Sequence, residues 1–191
     1  ERDRTYEVGT KWALANDRLL LSSALFHTEK TNARTPGLVP GTTVLAGDQT
    51  VDGLELGVVG QITDRWQVLA GYTYMDSETE DSGTAAEVGE ALANTPDHSF
   101  SLWTTVNVTD EITGGLGVNY VGERNNNNSN VRTAPDFITV DAMASYDITE
   151  WCTLQLNIYN LFDEEYIDRV GGGHFIPGAG RSATLSANFT F

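Results

Sequence analysis

The side chains able to do chemistry are few and scattered. His27, His98 and His174 are the three histidines, and no two stand at a spacing that would place both on one metal ion. No nucleophile stands beside a base, so the sequence offers no catalytic residue, no metal site and no cofactor site. Cys152 is the one cysteine; it falls in the apolar phase of a strand-like run and reads as a small hydrophobe, with no internal disulfide possible. Gly171-Gly-Gly173 precedes no helical pattern, so it reads as a flexible loop segment and not a phosphate cradle. Two stretches gather cations and aromatics. Arg124 and Arg132 flank the Asn-rich run Asn125 to Asn130, and Arg169, His174 and Phe175 lie in the last long connection. Guanidinium and imidazolium groups suit anions, and aromatic rings suit flat or cationic ligands. The chain carries 11 Lys and Arg against 27 Asp and Glu, a net charge of −16. A local positive site can still hold an anion, because screening limits distant charges to a reach of roughly 8–10 Å. The same balance argues against nucleic acid as a partner. The acids of Asp76 to Glu90 read as a solvated loop; a divalent cation would suit them, but no ligand spacing supports one.

The elements that must position these residues read as hairpin after hairpin. Tyr6, Val8, Thr10, Trp12 and Leu14 alternate with Glu7, Gly9, Lys11 and Ala13, and such period-two runs recur to the end of the chain. Asn16-Asp17-Arg18, Asp64-Arg65, Thr109 to Glu111 and Asp147 to Glu150 read as tight turns. Asn32 to Asp48, the acidic stretch up to Pro96, the Asn-rich stretch and Asp163 to Gly180 read as long loops. That makes about nine strands, each of about ten residues, with short and long connections in strict alternation.

Sorted loops of this kind describe a membrane barrel with turns on one side and loops on the other. The strand length suits a tilted bilayer crossing, and no run of apolar residues is long enough for a membrane helix. Trp12, Trp66, Tyr72, Tyr74, Tyr120 and Tyr146 stand near strand ends, where interfacial girdles need amphipathic rings. The alternate faces carry Glu7, Lys11, Glu55, Asn119, Asp141, Gln155 and Asn157; a wet or plugged lumen accepts these, whereas a dry sandwich core would not. The last strand places Ala183, Leu185, Ala187, Phe189 and Phe191 on one face, and Phe189 and Phe191 read as an aromatic signal for outer-membrane assembly. Single-chain barrels use even strand numbers. A count of nine therefore predicts either a missed strand or the C-terminal part of a larger barrel.

Several segments carry a resemblance. Asn157-Ile-Tyr-Asn-Leu-Phe-Asp-Glu-Glu-Tyr166 resembles a segment of TonB-dependent outer-membrane receptors that runs from the penultimate strand into the last extracellular loop. Phe175-Ile-Pro-Gly-Ala-Gly-Arg-Ser182, Asn94-Thr-Pro-Asp-His-Ser-Phe-Ser-Leu-Trp-Thr-Thr105, Tyr6-Glu-Val-Gly-Thr-Lys-Trp12 and Gly53-Leu-Glu-Leu-Gly57 are similar to further segments of that family. The versions here most resemble receptors for ferric catecholate siderophores. The resemblance implies an all-β, antiparallel, up-and-down transmembrane barrel, with residues 1–191 forming the last nine or so of 22 strands, in the outer membrane of a Gram-negative bacterium. It implies a transporter and not an enzyme, taking up ferric siderophore with energy from TonB. Iron is carried as the siderophore complex, without a cofactor of the protein's own. Neither a plug domain nor a TonB box is recognisable in the 191 residues, so TonB would act through a plug outside them. Outer-membrane lipid and the assembly machinery are the other implied partners. Arg124, Arg132, Arg169, His174 and Phe175 are the residues that would meet the siderophore. Three other readings compete: a complete small outer-membrane barrel with a structural or adhesive role, an outer-membrane lipase or protease barrel, and a soluble lectin-like sandwich.

Overall fold

The computed structural model describes residues 1–37, 39, 41–171 and 174–190. Gly172, Gly173 and the terminal Phe191 therefore lie outside the described residues. In chain order the strands are β1 (Arg2–Leu14), β2 (Leu19–Pro36), β3 (Thr43–Thr63), β4 (Trp66–Asp81), β5 (His98–Asn107), β6 (Ile112–Val121), β7 (Arg124–Asn125), β8 (Thr133–Ala134), β9 (Phe137–Thr149), β10 (Cys152–Tyr159), β11 (Ile167–Gly171), β12 (His174–Pro177) and β13 (Ser182–Phe189). Nine of them form one sheet in the order β1-β2-β3-β4-β5-β6-β9-β10-β13, and β7-β8 and β11-β12 are separate two-stranded pairs. Every pairing is antiparallel, so the large sheet is a meander.

Register shows why these residues make this sheet. Residues directly opposite one another share a face. One row runs Leu25, Leu54, Tyr74; others run Ala70, Leu102, Val118, Val140 and Ala144, Leu156, Leu185. Leu54, Val68, Leu102, Leu116, Val140 and Leu156 thus stand on one apolar face. Trp103 stands on the other, opposite Leu69 and Gly117. There it lies flat along the wall. A Cβ at Gly117 would meet its ring at 2.8 Å and one at Gly115 at 3.1 Å, so the ring lies over space that glycine leaves open at Gly117 and nearly fills it at Gly115.

The apolar face has nothing packed on it. Buried hydrophobic residues, among those described, are Ala33, Ala134, Phe137, Cys152 and Val170, while Val8 is 71% and Leu185 70% exposed. A soluble sandwich of this size would bury its apolar face in a second layer. Here the face is finished only by lipid. Its height agrees: Tyr6 to Leu14, Trp66 to Tyr74, Ile112 to Tyr120 and Ile138 to Tyr146 span the same number of residue steps. At ~3.3 Å per residue and ~40° of tilt each run covers roughly 20 Å, close to the apolar band of an outer-membrane barrel. Tyr6, Tyr74 and Tyr120 mark its loop-side edge, and Trp12, Trp66 and Tyr146 its turn-side edge. Among the described residues no helix is long and apolar enough to cross a membrane; the strands make the crossing.

The turns are tied to one another. Ala15, Asn16 and Asp17 take left-handed backbone angles (φ 54°, 56° and 65°) to reverse the chain between β1 and β2, a conformation that Asn and Asp tolerate best among residues with a side chain. Arg18 pairs with Asp64 of the next turn, and Arg65 with Asp110 of the one after at 2.5 Å.

The long connections depart from the sequence expectation. Asn32 to Asp48 is mostly strand, because β2 and β3 stay paired past register shifts near Lys30 and Ala33 up to Pro36 opposite Thr43. Asp76 to Glu90 is not a solvated loop throughout. Asp76–Asp81 continues β4, and the rest folds back onto that strand through bonds from Thr79 N to Glu90 O and from Gly89 N to Thr79 O, each 2.9 Å. Asp163 to Gly180 contains the β11–β12 hairpin. Beyond the bilayer, pairing needs only backbone hydrogen bonds and no alternation, which is why the pattern hid these strands.

Candidate functional site

The long connections all emerge at one end of the sheet and join one another. The β4–β5 and β6–β9 connections are stitched by Asn94 N to Asn125 O at 2.8 Å and by Ala93 N to the Asn128 side-chain oxygen at 2.8 Å. Asn130 donates to Glu90 across the same seam. The β7–β8 pair holds the base of the Asn-rich loop, with Asn126 N bonded to Arg132 O at 3.0 Å.

Arg124 ties this pair to the last connection. Its guanidinium donates to Asp168 O at 2.8 Å and Ile167 O at 2.5 Å, and lies 5.4 Å from the centre of the Phe137 ring. Arg124 is only 6% exposed. Burial pushes its pKa down from the ordinary arginine value, and the nearby Asp168 charge pushes it back up. Two of the donors of Arg124, one of the residues expected to meet the siderophore, serve backbone carbonyls and hold the last connection against the Asn-rich one.

Asn160 and Asp163 clamp that connection from below. Asn160, 5% exposed, donates through its amide to Glu164 O at 2.9 Å and Ala179 O at 3.1 Å, and accepts from Glu164 N at 2.9 Å. Its own N–H reaches the Asp141 carboxylate at 2.8 Å. Asp163 accepts from Arg181 N at 2.7 Å. Both take left-handed backbone angles, φ 50° and 58°, which Asn and Asp accept at least cost among non-glycine residues. Tyr166 packs 4.3 Å from Phe137, and its ring occupies the space that a side chain at Gly178 would need.

The remaining candidates stand on the outer surface of this cluster. Arg132 is exposed. Arg169 is exposed and pairs with Asp168 at 3.2 Å. His174 faces Gly171 at the end of the β11–β12 pair, and Phe175, half-buried, faces Val170. Arg169, His174 and Phe175 thus share one hairpin, whereas Arg132 stands on the neighbouring connection. The other two histidines belong to the wall: His98 bonds the Tyr72 hydroxyl at 2.9 Å, and His27 bonds Asp52 at 2.8 Å. An apolar hollow of about 450 Å³ lined by Trp12, Leu56, Ala70 and Phe100 opens on the lipid-facing side, away from the loops.

This geometry can now be set beside known proteins. The family model for the "TonB dependent receptor-like, beta-barrel" domain matches residues 1–161. The chain belongs to the TonB-dependent receptor family. A probable TonB-dependent siderophore receptor, PiuA of Acinetobacter baumannii, is 38% identical over the whole chain, which spans 27% of that relative. The catecholate siderophore receptor Fiu of Escherichia coli K12 is 35% identical, again over the whole chain and 26% of the relative. The crystal structure of PiuA superposes with a TM-score of 0.93 at 38% identity, covering 98% of this chain and 28% of that one. The closed form of Fiu gives 0.87 at 33% identity, covering 99% and 27%. The chain thus spans about a quarter of the length of these relatives. TonB-dependent receptors are outer-membrane transporters of Gram-negative bacteria and not enzymes, which sets aside the lipase-like and lectin-like readings.

Sequence reasoning missed the working parts of the TonB-dependent receptor's outer cluster. Asn160, Asp163, Tyr166 and Gly178 were legible as motif residues, but their roles were not, because each acts on a backbone atom or ring brought near only by the folded connection. The one available signal was the Asn-Leu-Phe-Asp run after a strand, since Asn and Asp are the residues that accept left-handed turns.

Proposed function

We propose that the complete receptor of which this chain is part captures a ferric siderophore, of catecholate type, and passes it inward with energy delivered by TonB through a plug in the barrel lumen. The observation that carries the reading is that Arg169, His174 and Phe175 share the β11–β12 pair, with exposed Arg132 on the neighbouring connection, on the loop side of a membrane wall in an otherwise acidic protein. A ferric catecholate is bulky, anionic and ringed. Cationic hydrogen bonds would take its charge and Phe175 its rings. Arg124 serves the same site indirectly, by fixing the hairpin that bears Arg169 and His174. The likeness to a catecholate receptor over the whole chain supports the ligand class. Phe189, stacked on Trp151 at 6.0 Å between ring centres, and Phe191 serve assembly into the outer membrane and not capture.

The test is substitution in the complete receptor. Arg132→Ala, Arg169→Ala and His174→Ala should each weaken ferric-catecholate binding, measured by fluorescence quenching. One charge-assisted contact is worth about 1.5–3 kcal/mol, or roughly ten- to a hundredfold in affinity. Unchanged affinity in all three would remove these loops as the capture surface. A ferric hydroxamate bound as tightly as the catecholate would remove the ligand class alone.

A further inference from the structure

One level of the lumen-facing side of the wall is apolar across five strands. Ala13, Leu20, Val59, Leu69 and Trp103 stand opposite one another in register on β1 to β5. Leu20, Val59, Leu69 and Trp103 are exposed, Leu69 to 57%. The next row toward the loops holds Lys11, Ser22, Gly57, Gly71 and Ser101, and Gln61, Gln67 and Thr105 stand on the turn side. Beyond Trp103 the row stops: Gly117 and Asp141 follow on β6 and β9. Ser145, Gln155 and Ser186 carry the inner side on across β9, β10 and β13. An exposed apolar patch with a polar rim marks an interaction surface. A hollow of about 480 Å³ lined by Val59, Leu69 and Trp103 gives this one a socket.

What covers the row must sit inside the lumen. Leu20, Val59 and Leu69 lie on interior strands of the sheet, so further wall strands extend its edges and leave this face open. Lipid and a second copy both lie on the other side of the wall. The chain is 27% of its relative PiuA, which sets a complete receptor at roughly 700 residues, and a wall of 22 strands at ~21 residues each takes roughly 470 of them. The lumen of such a wall is too wide for its own side chains to fill, and about 230 residues remain to fill it. We propose that the plug is seated on the Leu20–Val59–Leu69–Trp103 row by a dry contact, and that under the pull of TonB it parts from the wall first along the polar side of β9, β10 and β13. The inference rests on the plug of the reading above and names where that plug is held. Separation at the row returns apolar surface to water, whereas separation at Ser145 and Gln155 exchanges hydrogen bonds for those of water.

The experiment uses the complete receptor, freed of other cysteines, with a single cysteine at Leu69 or at Gln155. Each is the fourth residue of its strand, so the two stand at one height above the turns. A small charged methanethiosulfonate is the probe, and urea is raised through the range in which the barrel keeps its folded migration on gels. Gln155→Cys should react at least tenfold faster than Leu69→Cys, and less urea should suffice to free it. Equal rates, or faster reaction at Leu69, would overturn the seat. A second variant, L69D, puts a charge in the row; lumen substitutions spare the barrel itself. L69D should open ion conductance in planar bilayers, while wild type and S145D stay closed. L69D as closed as wild type would overturn the seat and leave the plug standing. Conductance by the wild type would overturn the plug and the seat together. Neither readout uses the siderophore, so the capture loops can fail without touching this result.

Discussion

The wall and the outer cluster are held by different kinds of information. In the wall, each residue is one of many doing the same thing. Leu102 matters as an apolar group in the outward phase, and its neighbours Ala70 and Val118 repeat the instruction. In the cluster, single side chains do what nothing else repeats. Among the described residues, Asn160 joins Glu164, Ala179 and, through its backbone, Asp141, and Arg124 ties the Asn-rich connection to the last hairpin. A distributed pattern survives a conservative change and fails on a change of class. A set of unique bonds can be undone by losing one carboxamide.

The largest effect that would sharpen this comparison is a change of class in mid-band. Leu116→Arg places a charge near the centre of the lipid face and should destabilise the complete receptor by about 2–4 kcal/mol, read from denaturant unfolding in lipid. Asn119→Ala, three residues away on the polar face, should stay within ~0.5 kcal/mol. Equal costs at both positions would mean that the two faces do not meet different media.

A smaller and more local effect is expected at Asn160. Asn160→Ala removes a buried carboxamide and strands Glu164 N and Ala179 O, at about 1–3 kcal/mol for a group left unsatisfied. Hydrogen exchange should rise across residues 160–181 and stay unchanged in β5 and β6. Exchange rising equally through the wall would break the distinction between the two regions.

The same distinction explains what could be read from the sequence. Alternation from Tyr6 to Leu14 or from Ile138 to Tyr146 gives strand, face and bilayer crossing together, because lipid imposes one rule on every outward residue. That rule ends at Tyr6 and Tyr74. The continuations Asn32–Pro36 and Asp76–Asp81 carry charges, a proline and a left-handed Asn32 (φ 54°), so they read as loops although their backbones stay paired. The candidate cations were found because charge is visible in a sequence. The burial of Arg124 was not, because its acceptors, the carbonyls of Ile167 and Asp168, have no sequence signature. Arg132, Arg169 and His174 could be named, but the hairpin that carries two of them could not.

The account depends most on which end of the wall meets the outside. In a cysteine-free background of the complete receptor, with Cys152→Ser among its changes, a single cysteine is placed either at Asn127, exposed in the Asn-rich connection, or at Asp110, exposed in a turn. Intact cells are treated with a maleimide on a polymer too large to pass the outer membrane. Labelling of Asn127→Cys in intact cells, with Asp110→Cys labelled only after lysis, is the result expected. Labelling of Asp110→Cys in intact cells while Asn127→Cys stays protected would contradict it, because the cationic cluster would then face away from any siderophore arriving from outside.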